Sequence, residues 1–122
     1  MSDTLYKITD VGALAKAEEH GWLEGSADDL RDGYIHLSSG AQVQGTLDRH
    51  FVGQDNLMLL AFDADAIGGE LKWETSRGGD DFPHLYGQLP LSALKWAEPL
   101  PVRADGRHIL SEALRAKIGG AP

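Results

Sequence analysis

Apolar positions recur along this chain with strand-like and helix-like spacings, and the switches between them mark the elements. Thr4–Ile8 (TLYKI) is a short run rich in strand formers. The following TDVGALAKAEEHG predicts a helix. Thr9 or Asp10 can accept from its first backbone N–H groups, Val11, Leu14 and Ala15 share a face, and Gly21 suits a left-handed stop. Trp22–Gly33 reads as irregular, because its glycines and aspartates interrupt any period. Tyr34–Ser38 (YIHLS) predicts the next strand. Ser38 or Ser39 then caps a second helix, GAQVQGTLDRHF, whose Val43, Leu47 and Phe51 recur every fourth residue as one buried stripe.

Asn56–Ala64 is the most apolar segment and predicts a central strand, while Glu70–Glu74 alternates as a half-exposed strand does. Ser76–Asp81 (SRGGDD) has the composition of a loop. Pro83–Leu89 is a strand or an extended segment, with Pro83 placing it at a sheet edge or at a strand start. A helical turn after Pro90 leads into a strand through Leu94–Glu98. Ile109–Lys117 closes the chain as a short helix that docks through Leu110 and Leu114. The order lacks the regular strand–helix–strand alternation of a doubly wound sheet. It predicts an α+β fold, a single domain over residues 1–122 with small mixed or antiparallel sheets and two to three short helices.

Composition narrows the function classes. The 122 residues are 42% apolar and 25% charged, and the formal net charge is −8. That charge argues against general binding to nucleic acid or to an anionic membrane, both of which need a basic surface. A small anionic ligand needs only a local cluster of donors and stays open. With no cysteine there is no disulfide, thiol nucleophile or thiolate metal site. MSDTLYKITD lacks the basic start and apolar run of a signal peptide, and no window has the length of a membrane span. The expected location is the cytoplasm, and the sequence points to no protein partner.

The candidate chemistry lies in two histidine segments. In a strand, Tyr34, His36 and Ser38 share one face while Ile35 and Leu37 face a core; the same parity groups Phe82, His84 and Tyr86. Aromatic walls with a few placed donors suit a planar ligand such as a nucleobase or nicotinamide. The competing reading makes both histidines hydrogen-bonding core residues. Arg77, followed by two glycines, can present a guanidinium and backbone N–H groups to phosphate, or can simply be a solvated turn. Glu74 can serve as a general base or as an ion-pair partner of Arg77. His20 suits a helix C-terminus, and His50 and His108 carry little signal. His36, His84, Asp80 and Asp81 lack a ligand spacing, so no metal site is expected, and no G-x-S-x-G elbow or P-loop occurs.

LYKI, DGYIHLSSGAQVQGTLDRHFVGQ, LKWE and FPHLYGQLPLSAL, in this order, resemble the DUF952 family of small bacterial proteins from about Leu5 to Arg107. That family brings no established activity. More distantly, the chain resembles the ADP-ribosyltransferase-like fold, which binds NAD in a cleft between two small sheets. This likeness implies that YIHLS is the element lining the nicotinamide side, with His36 and Ser38. It places the ribose-contacting element on LYKI, where many relatives carry histidine and this chain carries Lys7.

The resulting expectation is NAD or ribose-phosphate binding, with ADP-ribosyl- or phosphotransfer-type chemistry. His36, His84 and Glu74 are the candidate catalytic residues, and Lys7, Tyr34, Ser38, Arg77 and Tyr86 the candidate ligand-binding ones. Two other readings stand beside it. One is a non-catalytic module for a small metabolite or a protein; the other makes the two histidines purely structural links.

Overall fold

The computed structural model describes residues 3–76 and 79–119. In chain order its first elements are β1 (Thr4–Asp10), α1 (Val11–His20), β2 (Trp22–Leu23), α2 (Ala27–Asp32), β3 (Ile35–His36), α3 (Val43–His50) and β4 (Leu57–Asp63). There follow α4 (Ala64–Ile67), β5 (Glu70–Thr75), β6 (Asp81–Tyr86), β7 (Leu89–Pro90), β8 (Leu94–Leu100) and α5 (Glu112–Ile118). The strands form antiparallel sheets with orders β1–β4–β8, β2–β7 and β3–β6–β5. The chain is thus a small α+β domain, and no helix among the described residues is long and apolar enough to cross a membrane.

The first sheet is covered on both faces. Leu60 and Phe62 of β4, with Leu5 of β1, pack into a cluster shared with α1 and the two smaller sheets. Leu57, Leu59 and Ala61 of β4, with Tyr6 and Ile8, face a second cluster shared with α3 and α5. This two-sided burial explains why Asn56–Ala64 is apolar without alternation, and β4 is the central strand that this run predicts. Val43 and Leu47 of α3 are fully buried beneath it, with Phe51 packed at their edge. Leu110 and Leu114 dock into the same cluster, although α5 itself begins only after Ser111, whose side chain caps it.

Several expectations are corrected. The buried face of α1 is Ala13, Leu14 and Ala17, with Val11 and Ala15 in solvent; a helix this close to a sheet packs with its small residues. Asp10 caps it, and Gly21 stops it at φ 93°, the left-handed conformation that glycine adopts without a Cβ clash. Trp22–Gly33 is not irregular, since it holds β2 and α2, and the α-helices outnumber the two or three expected. Pro83 lies inside the middle strand of its sheet rather than at an edge or a start. Its ring nitrogen and carbonyl both point toward β3, so β5 loses no donor from it. On the β3 side the carbonyl still accepts from Leu37 N at 3.0 Å.

Leu47 is completely enclosed. Leu47→Ala is expected to destabilise the domain by about 2–5 kcal/mol, the cost of lost burial plus an unfilled cavity. Urea denaturation with an unchanged slope checks this.

Candidate functional site

The site begins where Pro83 interrupts a ladder. Leu37 donates to the Pro83 carbonyl, but proline has no N–H to return, and regular β3–β6 pairing stops at His36. One residue later the chain has crossed to the other sheet: Ser38 and Tyr6 exchange backbone bonds of 2.8 and 2.9 Å. The five residues Tyr34–Ser38 therefore stitch two sheets together along a seam. Because Leu37 and Pro83 occupy a hydrogen-bonded position, His36 and His84, directly opposite each other, are a non-hydrogen-bonded pair with closely approaching side chains. Their ring centroids are 5.5 Å apart, edge to face.

The backbone of His36 faces away from β6 and needs other partners. Asp29 and Lys7 supply them. Asp29 Oδ1 accepts from His36 N at 3.0 Å, and Lys7 Nζ donates to the His36 carbonyl at 3.1 Å. Asp29 Oδ1 also faces His36 Nδ1 at 2.6 Å, while Oδ2 accepts from Lys7 Nζ and from Ser26 N, each at 2.8 Å. Ser26 Oγ accepts from Asp29 N, so the same aspartate completes the capping box that starts α2. The second nitrogen of His36, Nε2, lies 3.0 Å from Asp32 Oδ2. Burial disfavours the Asp29 charge, but the His36 hydrogen bond and the Lys7 ammonium outweigh it and hold the carboxyl well below the usual carboxylate range. Burial pushes the Lys7 ammonium down, against the pull of Asp29.

A second cluster surrounds His84, which is 3% exposed. Its ring stacks on Tyr34 at 4.1 Å and 24°. Nδ1 lies 2.8 Å from Glu74 Oε1, and the Tyr86 hydroxyl donates to the same oxygen at 2.8 Å. The His84 and Tyr86 hydrogen bonds lower the Glu74 carboxyl, and the bond to Glu74 pushes the Tyr86 phenol up to about 12. The face shared by Tyr34, His36, Phe82, His84 and Tyr86 is thus one continuous surface.

A cavity of about 500 Å³ opens along the seam, between β1, α2, the Tyr34–Ser38 segment, α3 and β6. Lys7, Tyr34, His36, Ser38 and His84 line it. Glu74 and Tyr86 are not among the residues that line it, and the Tyr86 hydroxyl donates to Glu74. Lys7 lines the cavity with its ammonium committed to Asp29 and to a carbonyl, so it is a structural counter-ion rather than a cation open to phosphate. Arg77 lies outside the described residues. Sequence reasoning missed Asp29, Asp32, Thr46 and Arg49, which also line the cavity. For Asp29 a signal existed: Ser26-x-x-Asp29 followed by Gly33 is a capping-box and stop pattern.

Asp29→Asn leaves Lys7 buried without a counter-charge and is expected to cost about 3–5 kcal/mol at neutral pH. Asp29 titrates lower in the folded chain than in the unfolded one. Its contribution is therefore complete above about pH 4 and fades as pH falls toward the folded value. Stability measured against pH for both proteins should show the gap narrowing only on that acid side. A gap constant with pH would exclude the charge as its source.

Comparison with known proteins places the chain in a family. A family model described as a protein of unknown function (DUF952) matches residues 8–97. The crystal structure of protein CC0527 from Caulobacter crescentus is 47% identical, covers 91% of this chain and 97% of its own, and superposes with a TM-score of 0.84. The solution NMR structure of CC0527 superposes with a TM-score of 0.78, covering 91% of this chain and 96% of its own. No curated protein matches. Since the family model runs from within β1 to within β8 and takes in both histidine segments, this chain belongs to the DUF952 family.

Proposed function

We propose that the seam cavity binds a ribose-phosphate ligand, with NAD and ADP-ribose as the model compounds. The observation that carries this reading is that His36 and Ser38, two residues apart on one strand, both line a cavity of about 500 Å³ between two sheets. That volume lies in the range of small-molecule sites. It also matches what the ADP-ribosyltransferase-like resemblance implies for the histidine–x–serine strand. The rings of Tyr34, His36 and His84 supply a wall for a planar group. The hydroxyls of Ser38 and Thr46, 3.1 Å apart, supply polar contacts.

Of the four aspartates that line the cavity, Asp28, Asp29, Asp32 and Asp80, the first three are ion-paired. Asp29 is paired with Lys7, and Asp32 with Arg31 and His36. Arg49, on α3, lines the cavity and makes no hydrogen bond or ion pair among the described residues, so it takes the phosphate role first expected of Lys7 and Arg77. His36, with a carboxylate at each ring nitrogen, contributes the face of its ring to the wall. Group transfer, where it follows, would draw on the same wall to hold the ribose while charge develops.

ADP-ribose and NAD added to isotope-labelled protein are expected to give saturable shifts at the His36 and His84 side chains. Arg49→Ala is expected to weaken that binding about tenfold or more, as loss of a charge-assisted hydrogen bond does. A folded spectrum in which neither histidine responds at millimolar ligand overturns the reading.

A further inference from the structure

We propose that His84 is the base of this cavity: Glu74 holds the ring proton on Nδ1, and the Nε2 lone pair accepts the proton of a ligand hydroxyl or of water. The inference rests on the cavity being a ligand site and adds a chemical role to it. Three observations converge on this ring. First, the partner at Nδ1 is a carboxylate oxygen at 2.8 Å, and an ionised carboxylate can only accept, so Nδ1 must be the donor. Second, Nε2 makes no hydrogen bond among the described residues, and His84 lines the cavity. The buried side-chain nitrogen left without a partner is His108 Nδ1 instead. Third, the ring is fixed, being stacked on Tyr34 and enclosed, while its carboxylate is itself fixed by the Tyr86 hydroxyl.

The other two buried or half-buried imidazoles are already engaged. His36 has a carboxylate at each nitrogen, Asp29 at Nδ1 and Asp32 at Nε2. His108 bonds the Phe51 carbonyl through Nε2, and its remaining nitrogen is shut inside the protein. His84 combines a ring stacked on Tyr34 and a carboxylate at Nδ1 with a place in the cavity lining. The arrangement is the base-and-orienter half of a nucleophile-activating site. In the step, the O–H bond of the ligand hydroxyl breaks and its electron pair stays on oxygen as the nucleophile. The proton passes to Nε2, and the imidazolium so formed is stabilised by Glu74. Glu74 is accordingly a positioning residue, since it does not line the cavity.

Nitrogen-correlated NMR of the histidine rings tests this without a nucleotide. Neutral His84 is expected to show a protonated Nδ1 and a bare Nε2, and Glu74→Ala to shift it toward the Nε2–H form while the His36 pattern stays unchanged. Diethyl pyrocarbonate, which transfers an ethoxycarbonyl group to a bare imidazole nitrogen as monoethyl carbonate leaves to give CO2 and ethanol, is expected to label His84 at Nε2 and to do so severalfold more slowly in Glu74→Ala. A wild-type ring protonated at Nε2, a tautomer indifferent to Glu74→Ala, or no labelling of His84 while exposed His20 reacts would each overturn the proposal. Failure of ADP-ribose to bind would count against the ligand class alone.

Discussion

The structure depends on a single carboxylate. Asp29 accepts from Ser26 N, Lys7 Nζ, His36 N and His36 Nδ1, and those donors belong to the start of α2, to β1 and to the strand that joins the two sheets. A buried carboxylate is costly unless its lone pairs are met, and here each oxygen receives two donors. The converse holds for Lys7, whose ammonium sits on the core-facing side of a strand and is admitted only because Asp29 is there. Coulombic gain and desolvation cost roughly offset in such a pair. Its value is therefore less in net stability than in geometry: the pair ties α2 to β1 and to the Tyr34–Ser38 segment.

That geometry leaves the cavity open. A strand pairing fully with β6 would lie flat in one sheet, and a strand pairing fully with β1 would lie in the other. Pro83 withholds a donor at the point where the choice is made, so Tyr34–Ser38 does part of each. The space between the diverging sheets is lined by side chains from both. The histidines divide the work. His36 has a carboxylate of α2 at each ring nitrogen and ties the seam to that helix, while His84 meets Glu74 through Nδ1 and lines the cavity.

Much of this was legible from alternation alone. Strand parity places Tyr34, His36 and Ser38 on one face and Phe82, His84 and Tyr86 on another, and antiparallel pairing makes these one surface. Helix stripes likewise mark Val43 and Leu47, and Leu110 with Leu114, as core. The misreadings have physical causes. Aspartates in Asp28–Asp32 resemble a solvated loop, because local pattern does not show that one of them is buried against a lysine twenty-two residues away. Pro83 resembles an edge residue, because local rules count a missing donor without knowing which neighbour it faces. Glu74 resembles a free carboxylate until two donors from β6 are found on it.

The sequence by itself determined the class of fold, the alternating faces and the pairing of the two histidine segments as chemically similar elements, since periods of two and of about 3.6 are properties of local backbone geometry. The family membership was legible too, through short motifs in a fixed order. Only tertiary structure decided which polar groups are spent and which are available. Lys7 and Asp29 neutralise each other, and Glu74 turns to His84 and Tyr86. Arg49 comes to the cavity from a helix whose exposed face carries no distinguishing pattern. Hydrogen bonding is a matter of pairs, and the partner of each group in these pairs comes from another element.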